Sequence, residues 1–298
     1  MVTSLTRILL ATDGSTDATL AARAANDLSG RTGAELHVVH VRQDLSPPSP
    51  PVAATDEYSR TSEQREAKEL LEEQAECLRS ADGAVAGTHL RTGRPADEIA
   101  ALAEELDAGL VVVGSRGMGT VKRLVMGSVS EGVVSLATCP VLVMRGGEGA
   151  WPPPRMVVGT DLSEEAMVAA ELAVSFGDAL GVEVLLIMAY LRPMQMDARG
   201  PIALAEADRA DREASGAVFR FAVRLEDQTG RRPRRRAVLG YAASVIQDAA
   251  EEGEEPALVV VGRRGVGAVR RFVLGSVSTD VMRSVGGPVL IVPSHARA

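Results

Sequence analysis

Leu110-Val111-Val112-Val113-Gly114-Ser115-Arg116-Gly117, followed after nine residues by Gly127-Ser128-Val129-Ser130, is the stretch that decides how this chain folds. A short Val-rich run reads as a strand buried on both faces, and the glycine that ends it reads as a tight turn. The hydroxyl-bearing residues after Gly127 read as the start of a helix. The pattern returns at a fixed offset, as Leu258-Val259-Val260-Val261-Gly262-Arg263-Arg264-Gly265 and Gly275-Ser276-Val277-Ser278.

Working outward, the same offset carries Arg7–Asp13 onto Arg155–Asp161, Gly33 onto Gly181, and Pro140-Val141-Leu142 onto Pro288-Val289-Leu290. One residue of slip appears in the middle, where Gly93 meets Gly240, and is recovered before Leu258. A shared offset at both ends of each half means duplication. The reading is therefore a first domain over residues 1–146, a Gly- and Pro-rich linker over 147–154, and a second domain over 155–298. Residues 46–51 read as a Pro-rich loop inside the first copy.

Within the first copy, Arg7–Thr12, Glu35–Val41, Val85–Arg91, Leu110–Gly114 and Val141–Met144 have strand composition. Asp17–Thr32, Glu57–Arg79, Pro95–Leu106 and Ser128–Ala137 have helical spacing, and the second copy repeats the order. Strict alternation predicts an α/β fold of two doubly wound domains, with parallel strands and helices on both faces.

The glycines carry the functional signal, since G-x2-G-x9-G-[ST] occurs twice. Gly114 turns the chain without a side chain in the crevice, and Gly117 keeps the loop thin enough for a ligand to lie against it. A side chain at Gly127 would occupy phosphate space. The helix that follows offers unpaired N–H groups to an anion, with Ser128 or Ser130 adding hydroxyl donors. The same serine would serve as a helix N-cap in a protein without a ligand. A second element ends the first strand: Ala11-Thr12-Asp13-Gly14-Ser15, repeated as Gly159-Thr160-Asp161-Leu162-Ser163. Its aspartate can accept from an adenine amine or a ribose hydroxyl, or it can cap the next helix, as Ser15 and Asp17 also can.

With these motifs in place, the chain resembles a tandem universal stress protein of the ATP-binding branch, the resemblance running nearly end to end through both halves. It implies a five-stranded parallel sheet in each half, order 3-2-1-4-5. It further implies that Thr12, Asp13 and Val41, and in the second half Thr160, Asp161 and Ala189, line the adenosine end. Phosphate and ribose contacts are implied for Gly114, Arg116, Gly117, Gly127, Ser128, Val129 and Ser130. In the second half these become Gly262, Arg264, Gly265, Gly275, Ser276, Val277 and Ser278. Ala189 departs from Val41, which loosens the base end of the second site.

Bulk properties narrow the choice. The 298 residues are 46% hydrophobic and 3% aromatic, which suits parallel sheets under Ala-rich helices. A net charge of −8 argues against a general nucleic-acid binder, leaving the basic run Arg231–Arg236 to be read as a solvated loop and strand edge. The start lacks a secretory pattern and no apolar run is of membrane-spanning length, so a cytoplasmic protein is expected. Cys77 and Cys139 form no C-x-x-C, and His37, His40, His89 and His295 form no metal set. There is no Walker lysine and no placed nucleophile–base pair.

The expected function is an ATP-binding stress-response regulator with one site per repeat, Mg²⁺ held through the phosphates, and an unknown protein partner. The alternatives are a slow ATPase or nucleotide hydrolase, and a chaperone-like interaction module without nucleotide. The last strands of the two halves, Val141–Met144 and Val289–Val292, are expected to pair as an intrachain pseudo-dimer, with a homodimer of the whole chain also open.

Overall fold

The buried strands dictate the architecture of each repeat. In the computed structural model, which describes residues 5–43, 55–81, 83–117, 126–147, 151–192, 201–265 and 274–294, two units separate, Ser4–Trp151 and Pro152–Ala298. Residues 46–51 and His295 lie outside the described residues.

The first unit runs β1 (Arg7–Ala11), α1 (Thr16–Thr32), β2 (Glu35–Arg42), α2 (Thr55–Ser80), β3 (Val85–Thr92), α3 (Pro95–Glu105), β4 (Leu110–Gly114), α4 (Ser128–Leu136) and β5 (Val141–Met144). Every pairing is parallel and the order is β3-β2-β1-β4-β5. Ile8, Leu9 and Leu10 on the central strand are wholly buried because helices cover both faces. Helices α1 and α2 pack together on one face, α3 and α4 on the other. On α1, Ala21, Ala24 and Ala25 are fully buried; small side chains let the helix sit close to the strands.

The second unit repeats this as β6 (Arg155–Gly159), α5 (Glu164–Leu180), β7 (Glu183–Tyr190), α6 (Pro201–Thr229), β8 (Arg234–Leu239), α7 (Ala242–Glu251), β9 (Leu258–Gly262), α8 (Ser276–Ser284) and β10 (Val289–Val292). Its strands are again all parallel, in the order β10-β9-β6-β7-β8. The shared glycines Gly33 and Gly181 end α1 and α5 in the left-handed conformation, at φ 74° and 71°.

The basic run sits on the outer strand β8 and the turn before it. Arg231 pairs with Asp178 (3.3 Å), Arg232 with Glu226, Arg234 with Glu183 (2.7 Å) and Arg236 with Glu252 (2.7 Å). Arg235 lies over the Phe219 ring, 4.5 Å from its centroid. Each exposed pair adds little stability, but together they place a carboxylate beside most of the cations. Among the described residues no helix is long and apolar enough to cross a membrane.

The repeats differ in backbone strain at the turn that follows their first strand. Gly14 has φ 79°, and its counterpart Leu162 holds φ 68° although it carries a Cβ. The Thr160 hydroxyl accepts from the Leu162 amide (3.0 Å), and Asp161 Oδ1 accepts from the Ser163 amide (3.1 Å), so the turn forces the conformation. A left-handed leucine costs about 1–2 kcal/mol, and a glycine loses ~0.5–1 kcal/mol through chain entropy. Leu162→Gly is therefore expected to raise unfolding stability by about 0.5 kcal/mol in urea titration. A loss above ~1 kcal/mol would show that the Leu162 side chain contributes packing that outweighs the strain.

Candidate nucleotide site

In this strand order the chain leaves β1 toward β2 and leaves β4 toward β5, so the loops after the two central strands part and open a crevice. Each unit has a cavity there. The first, about 470 Å³, is lined by Ala11, Thr12, Asp13, Val41, Gly114, Arg116, Gly117, Gly127, Ser128, Val129 and Ser130. The second, about 580 Å³, is lined by Gly159, Thr160, Asp161, Ala189, Gly262, Arg264, Gly265, Gly275, Ser276, Val277 and Ser278. The structure thus brings together every residue that the motifs and the resemblance single out in each half.

Sequence reasoning missed the apolar walls: Val39, Pro95 and Ile99 in the first cavity, Ile187, Ala242 and Ile246 in the second. A signal existed for these. Val39 shares a strand face with Val41, two residues on, and Pro95 and Ile99 are one helical turn apart.

The glycines are required for reasons that only partly match expectation. A Cβ on Gly114 would stand 2.7 Å from the Asp17 carbonyl carbon, so the end of β4 touches the first turn of α1. On Gly117 it would stand 2.4 Å from Asp13 Oδ2, and on Gly265 2.1 Å from Asp161 Oδ2. On Gly127 it would meet the Ser115 carbonyl oxygen at 3.0 Å, and on Gly275 the Arg263 carbonyl oxygen at 3.3 Å. A side chain at these last two positions therefore presses on the strand-end turn. The two segments are tied by hydrogen bonds from the Gly127 amide to the Ser115 carbonyl (2.8 Å) and from the Gly275 amide to the Arg263 carbonyl (2.9 Å).

Helices α4 and α8 begin without a side-chain cap: the N-cap residues are Gly127 and Gly275. This corrects the cap role considered for Ser128 and Ser276, which stand one residue too late and are exposed. The first helical bond of α4 runs from the Glu131 amide to the Gly127 carbonyl, so the amides of Ser128, Val129 and Ser130 precede it. The Ser130 hydroxyl, 2% exposed, donates to the Ser115 or Gly127 carbonyl (3.0 and 2.9 Å). Its counterpart on Ser278 donates to the Gly262 carbonyl (2.7 Å). These hydroxyls brace the loop, and the amides of Ser128, Val129 and Ser130 lie ahead of the first helical bond.

At the end of β1, Asp13 Oδ1 accepts from the Ser15 amide (3.0 Å), and Ser15, not Asp13, caps α1 by accepting from Ala18 (3.3 Å). His40 Nδ1 lies 2.8 Å from the Thr12 carbonyl and must donate to it, which fixes the strand end. His37 instead faces His89, with Nδ1 and Nε2 3.1 Å apart.

Asp17 is the residue whose role the sequence concealed. It is 6% exposed, accepts from the Ser115 hydroxyl (3.0 Å), and holds Arg116 in a two-pronged pair at 2.9 and 3.1 Å. The implied phosphate contact of Arg116 is thus met by a guanidinium that lines the cavity with two of its nitrogens on a carboxylate. The hydrogen bond to Asp17 holds the Arg116 pKa above its ordinary value. Burial pulls Arg145, just after β5, below its own, against the pull of Asp17. The second unit has Glu165 and Arg263 where the first has Asp17 and Ser115. Arg116 is partly exposed and stays hydrated without its partner, so Asp17→Asn is expected to lower stability by about 1–2 kcal/mol through the weakened charge-assisted hydrogen bonds. Chemical denaturation measures this; a change under ~0.5 kcal/mol would mean the pair contributes no net stability.

Comparison with known proteins accords with this geometry. The family described as "Universal stress protein family" matches residues 4–145 and again 154–293. A universal stress protein of Mycolicibacterium smegmatis is 29% identical over 303 aligned residues, spanning 98% of this chain and 99% of the relative. The Bacillus subtilis universal stress protein YxiE is 36% identical over 147 residues, covering 47% of this chain and 98% of its own length. The crystal structure of a universal stress protein from Archaeoglobus fulgidus superposes with a TM-score of 0.68 at 23% identity, covering 98% of this chain and all of that one, and so shares its fold. With two glycine-floored crevices at matching places and both halves matched by one family, the chain belongs to the universal stress protein family, as a tandem pair of its domains.

Proposed function

We propose that this chain is an ATP-binding regulatory protein with one nucleotide site in each repeat, acting through nucleotide-dependent interaction with a partner protein rather than fast catalysis. One observation carries the reading. An uncapped helix start faces a glycine-lined turn at one end of a cavity whose other end is apolar. Backbone amides at a helix N-terminus suit a phosphate chain, and an apolar slot suits a purine face. Cavities of 470 and 580 Å³ fall within the ~300–1,000 Å³ common for small-ligand sites.

In this reading the amides of Ser128–Ser130 and Ser276–Ser278 hold the phosphates. Asp13 and Asp161 accept from a ribose hydroxyl or the base amine. The base lies among Val39, Val41 and Ile99, or Ile187, Ala189 and Ile246. Mg²⁺ is carried by the phosphates and water. Among the described residues, the ionisable side chains on the cavities are Asp13 and Arg116 in one and Asp161 and Arg264 in the other. That set can bind and orient a nucleotide; fast turnover would need a placed base for the attacking water.

The test is to identify nucleotide released from the purified full chain by mass spectrometry, and to titrate nucleotide-free protein with ATP-Mg²⁺. One ATP per repeat is expected. Ser128→Glu and Ser276→Glu place a carboxylate at an exposed first helical position, where the helix tolerates it but a phosphate is repelled. Each should weaken its own site about tenfold or more, with circular dichroism unchanged. Unchanged affinity in the double variant would remove the phosphates from these helix starts. ADP or AMP in the extract would point instead to slow hydrolysis.

A further inference from the structure

We propose that the two sites are unequal, and that the second accepts purine nucleotides whose base carries an apolar substituent, which the first excludes. This rests on the nucleotide reading above and concerns the end of each cavity opposite the helix start.

Two wall positions are truncated in the second repeat. Ala189 on β7 replaces Val41 on β2, and Ala242 at the start of α7 replaces Pro95 at the start of α3. Ile187 for Val39 returns one methylene, and Ile99 and Ile246 are alike. The net result is the larger cavity, 580 against 470 Å³. The shortened side chains at these two positions leave room at the base end of the wall for an apolar substituent.

The rim changes in the same direction. Where the first repeat has Gln43, which lines its cavity, and the exposed Arg94, the second has Leu191, 62% exposed, and Tyr241, 75% exposed. The Gly240 amide donates to the Tyr190 carbonyl (2.9 Å), which places the two segments side by side at the carboxyl end of the sheet. Leu191 and Tyr241, two and one residues from the wall positions Ala189 and Ala242, offer exposed apolar side chains to a group leaving that slot. Gln43 and Arg94 offer a polar, charged one.

The probes are ATP and N6-benzyl-ATP, each with Mg²⁺, titrated calorimetrically into the full chain carrying Ser128→Glu, which leaves the second site, or Ser276→Glu, which leaves the first. ATP binding at the unaltered site of each variant, tighter than at the altered one, is the prior condition; no ATP binding in either variant overturns the nucleotide reading itself. Given that binding, the second site is expected to hold N6-benzyl-ATP within about threefold of ATP. The first should reject it by ~10- to 100-fold, the usual effect of overfilling a packed site.

Ala189→Val with Ala242→Pro, the latter at a first helical position that accepts proline, should bring the second site's ratio of N6-benzyl-ATP to ATP affinity to that of the first site. Equal discrimination by both sites, or a second site unchanged by this pair, overturns the inequality and leaves the nucleotide reading standing.

Discussion

The amide of Gly127 bonded to the carbonyl of Ser115, and that of Gly275 to Arg263, holds the start of a helix against the end of a central strand. Both contacts leave almost no room for a Cβ. Much of the site follows from them. The helix start is kept free of a side-chain cap, its first amides are turned to the crevice, and the buried hydroxyls of Ser130 and Ser278 lock the turn from beneath. The parallel sheet supplies what this arrangement needs: β4 and β9, buried on both faces, end at a fixed place. The neighbouring β1 and β6 deliver an aspartate to the opposite wall.

Much of this was legible in the sequence because duplication doubled every signal. A glycine pattern that recurs at the repeat offset after a Val-rich run reports a structural demand, and the cavities collect all of the residues it named. Element ends were readable to within a few residues for the same reason that caps are readable: Ser15, Gly33 and Pro95 mark them chemically. What escaped was anything set by tertiary contact. Asp17 looks like an ordinary first-turn acid, and only the fold places Ser115 and Arg116 over it. The cap role considered for Ser128 failed because the preceding Gly127 takes that position, and sequence spacing alone cannot separate the two. The direction of a glycine's missing side chain is likewise a property of the packed loop, which is why Gly127 and Gly275 point at carbonyls.

The repeats also show what duplication leaves free. The turn after β6 tolerates Leu162 in a conformation that Gly14 adopts without strain after β1, because hydrogen bonds from the Leu162 and Ser163 amides to Thr160 and Asp161 over-determine it. On β8 the arginines are matched by Asp178, Glu183, Glu226 and Glu252, and by the ring of Phe219, so a run that reads as strongly basic on paper is mostly offset in space. Local charge along a chain is a poor guide when the neighbouring strand and helices carry its complement.

Most donors at the helix starts belong to the main chain, and main-chain atoms are the same whatever side chain a gene encodes. The helix-start end of each crevice is therefore insulated from most substitutions, provided the glycines stay. The apolar end is built from side chains alone, so each mutation there is written directly into the shape of the slot. A chain holding two such crevices can keep one as a reference copy while the side-chain walls of the other drift, without either losing its main-chain end.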